Sequence, residues 1–502
     1  MLTDDILLLI ISFIEVRDIL ALRQTSKHFL NMSKLRWVWL DAIKRHVVDR
    51  GLPVPAGGID LLTLSAKQLE ARAVHASNFH KNWNSSKPTA RYTFSFSADK
   101  CLPDEEPEAH KSTVSQVAFL KGSSGQLLVT AVGRAVTCWE VPFGGASAYR
   151  VAEHVASSPV EQLIVNEDQD SEAALAYLTC SSAPNDPALV VVLRLDKFHG
   201  VFRESSRLRS VRAMAHPLHV MHDSYVVLGH SPTIWYFEEP IKAVTLHSTL
   251  PVQASEIRAV KVINRYMVVV REGHVQFVYA PLWRGLRTAW GQQPRSLFEM
   301  RTSVTEAVII HHNTIGEESR DWPSTPVTLL LRCREDDIDA ILQIDLLPGP
   351  EIHETAPGAD AFEPLYRLPF AWCKRVTAIP VPPSCQHLHA GPSGRGFTIQ
   401  TRTITSRRSE HPARCLFGFH TTSASGTPAG DSEAWGKEHR IAVEVSGGNK
   451  VHYADKPFYS RRCDMSEVIK RQYTIVSTAF EDAVGRLAIG DKHGTVEVLD
   501  FA

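Results

Sequence analysis

The sequence predicts a multidomain chain: a small all-α bundle over about the first fifty residues, then an all-β region built of small repeated sheets. Three observations carry that reading. Apolar residues between Asp4 and Val47 recur at helical three-and-four spacing. From about Tyr92 onward helical signals are scarce, and short apolar or alternating runs are joined by turn residues. The first of those runs return at intervals of about 46 to 51 residues, near the length of one propeller blade.

In the first helix Ile6, Leu9, Ile10, Phe13 and Ile14 share one side, while Leu7, Leu8 and Ile11 fall on the other, so it is apolar nearly all round. The run cannot span a membrane, which takes about 20 apolar residues, because Ser12 interrupts it and Glu15, Arg17 and Asp18 stop it. A secretory signal needs a positive n-region, and Asp4 and Asp5 stand there instead. Asp18 is expected to cap a second short helix, and Ser33 a longer one through Val47 that Arg50, Gly51 and Pro53 end. A bundle this small buries little of its surface, so an all-round apolar helix is more than it can cover. The surplus is covered by the rest of the chain, forms core throughout, or meets a second protein.

The residues Leu2, Ile6-Leu7, Ile10, Phe13, Ile14, Asp18-Ile19, Leu22, Thr25-Ser26-Lys27, Phe29, Trp37 and Trp39 resemble, in order and spacing, the F-box motif. The usual Leu-Pro opening of that family is Leu2-Thr3 here. The resemblance implies docking on a Skp adaptor through Leu2, Ile6, Leu7, Ile10, Phe13, Ile14, Leu20 and Leu22.

The F-box is expected over 1–50, a linker with a connecting helix over 51–89, and the β region over 90–502. Residues 51–64 hold two prolines and three glycines and read as a connector. A helix then starts at Ser65, with Gln68 completing a capping box, and Leu69, Ala73, Ala76 and Phe79 give it an apolar side. That side either docks the first domain on the β region or belongs to a solvated spacer.

Repeat units begin near Val114, Val160, Val211, Ile257, Val304, Val376 and Ile475, with a less regular one from Cys415 to Val445. A ring of small sheets packs so many short strands without long exposed edges, so an all-β propeller of about seven blades, within six to eight, is expected. The last unit, residues 474–501, reads as a three-stranded meander turning at Gly485 and Gly494, and resembles a WD-type repeat. The segment 90–98 is placed to complete that blade and lock the ring. Residues 314–326 and 421–439 are polar and rich in small residues, and read as surface insertions.

Catalytic signals are weak. The "GPSGRGF" stretch at 391–397 lacks the Lys-Ser/Thr of a phosphate loop and reads as a connection between strands. Cys385, His387 and His389 share a strand face only if the backbone there is regular, and a metal needs further ligands. With 23 histidines, chance clusters are expected. The eight cysteines form no CxxC pair, which points to reduced thiols and away from a disulfide framework. No catalytic residue, metal or cofactor is expected. Net charge is −1, so no global field recruits nucleic acid or an anionic membrane. Local charge is more telling: Arg395, Arg402, Arg407, Arg408 and Arg414 face one acid, Glu410, and Arg203, Arg207, Arg209 and Arg212 cluster likewise. They are either solvated residues or receivers of an acidic or phosphorylated segment, with Arg395, Arg402, Arg407 and Arg408 the candidates.

F-box proteins with C-terminal repeats are typically substrate receptors of Skp-cullin-F-box ubiquitin ligases, and that is what the resemblance implies: a non-catalytic, intracellular subunit, cytoplasmic or nuclear, linking the Skp adaptor and a cullin to a protein substrate. The alternative is a non-catalytic propeller scaffold, with or without the adaptor, outside ubiquitin ligation.

Overall fold

The computed structural model describes residues 3–50, 52, 54–55, 60–85, 88–98, 113–143, 147–179, 188–210, 217–238, 243–245, 255–263, 266–279, 295–299, 303–312, 326–335, 338–348, 370–380, 385–406, 409–421, 461–463 and 475–502.

Five α-helices open the chain: α1 (Asp4–Phe13), α2 (Val16–Arg23), α3 (Lys27–Met32), α4 (Arg36–Ile43) and α5 (Ala66–Trp83), with a π-helical turn at Lys44–Val48 after α4. Asp4 and Asp5 sit in the first turn of α1, where a helix N-terminus favours negative charge. Ser12, the polar break in the apolar run, is buried, and its hydroxyl donates to Leu9 O at 2.7 Å, so burial leaves that donor satisfied.

Two expected caps are displaced. The second helix starts at Val16 with Glu15 at its cap, because Val16 is buried with Ile19 in the bundle core; Asp18 lies inside the first turn. Ser33 closes α3 and does not open α4: Ser26 caps α3 by accepting from Phe29 N, and Ser33 O accepts from the buried Trp39 Nε1 at 2.7 Å. Helix α5 begins as the sequence predicts, with both hydrogen bonds of the Ser65–Gln68 capping box formed. Its N-terminal half supplies Leu69, Ala73 and Ala76 to the bundle core beside Ile19, Trp39 and Ile43.

Among the described residues the strands form seven four-stranded antiparallel blades, over 114–155, 160–210, 218–245, 257–299, 303–380, 385–463 and 475–500, the last completed by Tyr92–Ser97. The first strand of each blade is innermost, and these strands touch in succession round a closed ring. Tyr92–Ser97 pairs antiparallel with Thr495–Asp500, so the segment at 90–98 does lock the first part of the ring to its end. The meander of the last repeat is present as Ile475–Glu481, Arg486–Asp491 and Thr495–Asp500. The first two blades also touch at their rims, where Glu153 pairs parallel with Val201.

Three unit starts move. The third blade begins at Leu218, not Val211; Val376 lies in the outer strand of the fifth blade, and the sixth starts at Cys385; Cys415 falls in the third strand of that sixth blade. The outer strand Phe370–Pro380 is itself apolar, so by pattern it passes for an inner one. The insertions at 314–326 and 421–439 lie almost wholly outside the described residues.

The ring repeats a backbone device that side-chain pattern conceals. In six blades the inner strand slips register by one residue near its start, between Val114 and Gln116, Val160 and Gln162, Leu218 and Val220, Ile257 and Ala259, Val304 and Glu306, and Ile475 and Ser477. Side chains near the slip then bond the next blade. Ser115 Oγ donates to Val160 O, Gln162 Nε2 donates to Leu218 O while Leu218 N donates back to Gln162 Oε1, and Arg258 Nε donates to Val304 O.

Candidate functional site

Helix α1 presents Ile6, Leu9, Ile10 and Phe13 at three-four spacing along one face, and all four are exposed, by 45, 58, 45 and 67 %. The opposite face is anchored by the buried Ile11, with Leu7, Leu8 and Ile14 packed on the bundle core. Phe13 is held from its flank by Arg45, whose guanidinium lies 5.0 Å from the ring centroid and whose Nε donates to Asp41. Leu35 and Trp37 at the start of α4 are exposed as well. The face is thus preformed and uncovered. Burying one such side chain fully is worth about 1.5–3 kcal/mol, so four together leave a large unsatisfied apolar area in solvent.

The residues the motif implied for adaptor contact therefore divide. Ile6, Ile10 and Phe13 share the solvent face; Leu7, Ile14, Leu20 and Leu22 pack on the bundle core as partly buried residues; Leu2 lies outside the described residues. Leu9 belongs to the exposed face although the motif did not single it out, and its position three after Ile6 and four before Phe13 was the signal.

The C-terminal half of α5 is a plug in the propeller. Phe79 and Trp83 enter a core with Phe397, Leu487 and Phe501, and Trp83 stacks on Phe480 at 5.8 Å and meets Phe501 edge-on at 5.5 Å. Polar bonds fix the angle: His75 Nε2 lies 2.8 Å from Val484 O, and Asn82 Nδ2 donates to Phe501 O at 2.7 Å and Thr89 O at 2.6 Å. Gly485, with φ at +67°, turns the chain directly beneath Phe79, where any Cβ would strike the ring. Beside this plug Arg486 is buried, bonded to Asp500 and to the carbonyls of Gly125, Val141 and Pro142, so it ties the last blade to the first.

Of the expected arginine cluster, Arg395 does not stand at the surface. Arg395 is 1 % exposed: its guanidinium lies over Phe79 at 4.7 Å and its Nη2 donates to His80 Nδ1 at 3.0 Å. Burial pushes the Arg395 pKa below the ordinary arginine value, opposed by the charge of Asp482, and burial raises Asp482 in turn. Its place under α5 is a tertiary accident of the sequence that charge counting does not see. Arg402 lies on the strand Arg395–Ser406, opposite Ala413, while Arg407 and Arg408 lie outside the described residues. Arg203 and Arg207 are exposed and pair with Asp196 and Glu204.

Other chemistry-bearing groups among the described residues are placed as follows. No group of three or more His, Cys, Asp or Glu side chains suited to a metal exists among the described residues. Cys385 is buried between blades, His387 has φ at +59° on a bulge, and the half-buried His389 lies 2.7 Å from Thr478 Oγ1, so the three do not share a strand face. Burial pushes the Cys138 thiol up to about 12, which removes it as a nucleophile. Thr328 sits between Asp345 and His312 at 2.7 and 2.9 Å, a constellation that resembles a catalytic triad, yet Thr328 and Asp345 are buried inside a blade and His312 contacts Pro392 O of the next. The loop at 391–394 is an ordinary strand connection, closed on Asp482 by Ser393 N and Oγ. No described helix is long and apolar enough to cross a membrane.

Comparison with known proteins agrees with this division. A family model described as the F-box domain matches residues 1–41. Comparison with curated proteins gives no match. Among solved structures, the chain is similar to the WD40 domain of SCAP from fission yeast, at 9 % identity over 77 % of this chain and 82 % of that one, with a TM-score of 0.42. Hsv2 of Kluyveromyces lactis gives 10 % identity, 76 % and 91 % coverage and a TM-score of 0.42, and the C-terminal WD40 domain of Sif2 gives 9 %, 78 %, 96 % and 0.39. The chain carries an F-box domain followed by a seven-bladed β-propeller, modules that typically bind an adaptor and protein partners and are typically non-catalytic.

Proposed function

We propose that this protein is a substrate-recognition subunit of a Skp-cullin-F-box ubiquitin ligase, its F-box docked on the Skp adaptor and its propeller holding a protein substrate. The observation that carries the reading is the uncovered face Ile6, Leu9, Ile10 and Phe13 within a segment that matches the F-box. The fusion of bundle and propeller through α5 supports it, because a receptor acts by proximity and a fixed arm raises the effective concentration of substrate at the ubiquitin donor. Recognition of an acidic or phosphorylated segment falls within this proposal, to Arg402, Arg407 and Arg408; the burial of Arg395 withdraws it from the set. The subunit works inside the cell, in cytoplasm or nucleus, where ubiquitin ligation takes place.

Co-expression of the full chain with a Skp adaptor, followed by size-exclusion chromatography, tests the first half. The expected result is a one-to-one complex that Phe13→Glu weakens at least about a hundredfold without changing the melting temperature of the free chain. Full binding by a folded Phe13→Glu variant overturns the docking face. Binding to the adaptor without recruitment of a cullin places the chain outside ubiquitin ligation.

A further inference from the structure

His80 sits where three parts of the molecule meet. From the propeller, Arg395 Nη2 donates to its Nδ1, with the buried carboxylate of Asp482 close enough to act on that arginine. From the bundle, Arg50 and Glu15 act on it electrostatically, themselves bonded at 3.3 Å. On α5 itself, Asn84 Nδ2 lies 3.1 Å from its ring nitrogens. The chemistry of the first contact is decisive. An arginine only donates, so Nδ1 accepts, and only a neutral imidazole offers that lone pair.

We propose that the joint between α5 and the propeller is a proton-sensitive clasp, closed by neutral His80 and loosened when the ring is protonated against Arg395. Protonation removes the acceptor and sets two cations at hydrogen-bond distance beside the aromatic plug of Phe79 and Trp83. The other histidine of α5 at the seam, His75, faces a carbonyl, Val484 O, to which a charged ring still donates, yet burial also holds its pKa below the ordinary value, so it adds to the acid sensitivity without losing its contact. Burial, then Arg395 and Arg50, hold His80 down to about 4, against the opposing pull of Glu15. Since that lies below the ordinary value of 6.5, the docked state binds fewer protons than the released one. The clasp is fully closed above about pH 6.5 and weakens as pH falls toward about 4. The inference does not depend on the adaptor reading, because it concerns only how the bundle is held.

The test is intramolecular energy transfer in the full-length chain between one dye on the bundle and one on the propeller rim, from about pH 7.5 to about pH 4.5, with circular dichroism recorded in parallel. Desolvation also holds His389 at about 4, so acid alone is not diagnostic. His80→Asn is, because its amide oxygen accepts from Arg395 at every pH. We expect a reversible fall in transfer below about pH 6 in the parent chain, with strand content unchanged, and a transition about one pH unit lower in His80→Asn. Arg395→Gln, which removes the opposing cation, gives a shallower profile. Superimposable profiles for parent and His80→Asn, or loss of transfer only together with strand content, overturn the proposal. Should His80→Asn not fold, the Arg395→Gln comparison decides in the same way.

Discussion

Helix α1, of ten residues, leaves Ile6, Leu9, Ile10 and Phe13 in solvent, whereas α5, of eighteen, buries Leu69, Ala73, Ala76, Phe79 and Trp83. Both carry an apolar stripe at three-four spacing, and the stripe of α1 is the more hydrophobic. What separates them is the presence of a matching surface within the chain. Helix α5 is long enough to lie across two cores, its first half completing the bundle and its last turns entering the propeller between the sixth and seventh blades. Helix α1 is short, and one side of it already meets the bundle through Ile11. A stripe that meets its own chain is core; a stripe that meets none stays in solvent. The two helices therefore teach that apolar periodicity specifies a contact and leaves its partner open.

That contrast can be broken most sharply at Phe79. Phe79→Ala removes a ring packed on Trp83 and under Arg395, and is expected to destabilise the chain by about 3–5 kcal/mol in chemical denaturation. A loss below about 1 kcal/mol would mean that α5 is a spacer lying on the propeller and not a plug within it. Gly391→Ala probes the propeller side of the same seam. A Cβ there runs into Asp482, the buried carboxylate that holds the 391–394 loop, and overpacking of this kind costs about 1–3 kcal/mol. Ser65→Ala tests whether α5 needs its own start: loss of the capping box is expected to cost about 1 kcal/mol, read as a lower melting temperature with unchanged adaptor affinity. Phe13→Ala is the smallest expected effect on stability, within about 0.5 kcal/mol, since its ring is mostly solvated. If Phe13→Ala destabilised the free chain as much as Phe79→Ala, the face of α1 would be core and the comparison would collapse.

Much of the architecture was legible. The capping box at Ser65, the closing strand at 92–97 and the meander of the last blade are local signals, and each is present where its residues place it. Local signals also misled where a tertiary contact overrode them. Asp18 and Ser33 are good caps by type, yet Val16 is drawn into the core ahead of Asp18, and the carbonyl of Ser33 is claimed by Trp39 Nε1. The blade start read at Val376 falls in an outer strand, because the apolar run there reads by pattern like an inner one. The repeated one-residue slip of the inner strands, the most regular feature of the ring, is a property of backbone pairing and leaves no residue signature.

The candidate sites show the same limit. Ile6, Ile10 and Phe13 were readable because helical spacing fixes a face without knowledge of the fold. Arg395 was not, because whether an arginine is solvated depends on what crosses above it, and α5 lies more than three hundred positions earlier in the chain.

By itself the sequence determined the helical opening with its surplus apolar face, the capped α5 and the ring of short repeats closed by an early strand, since each comes from periodicity, caps and turns among residues close in the chain. Only the tertiary structure decided which apolar stripe stays in solvent, that Arg395 and His80 meet under α5, and that bundle and propeller are joined through one aromatic plug. The physical reason is that burial and charge pairing are set by neighbours in space, and in a closed ring those neighbours come from opposite ends of the chain.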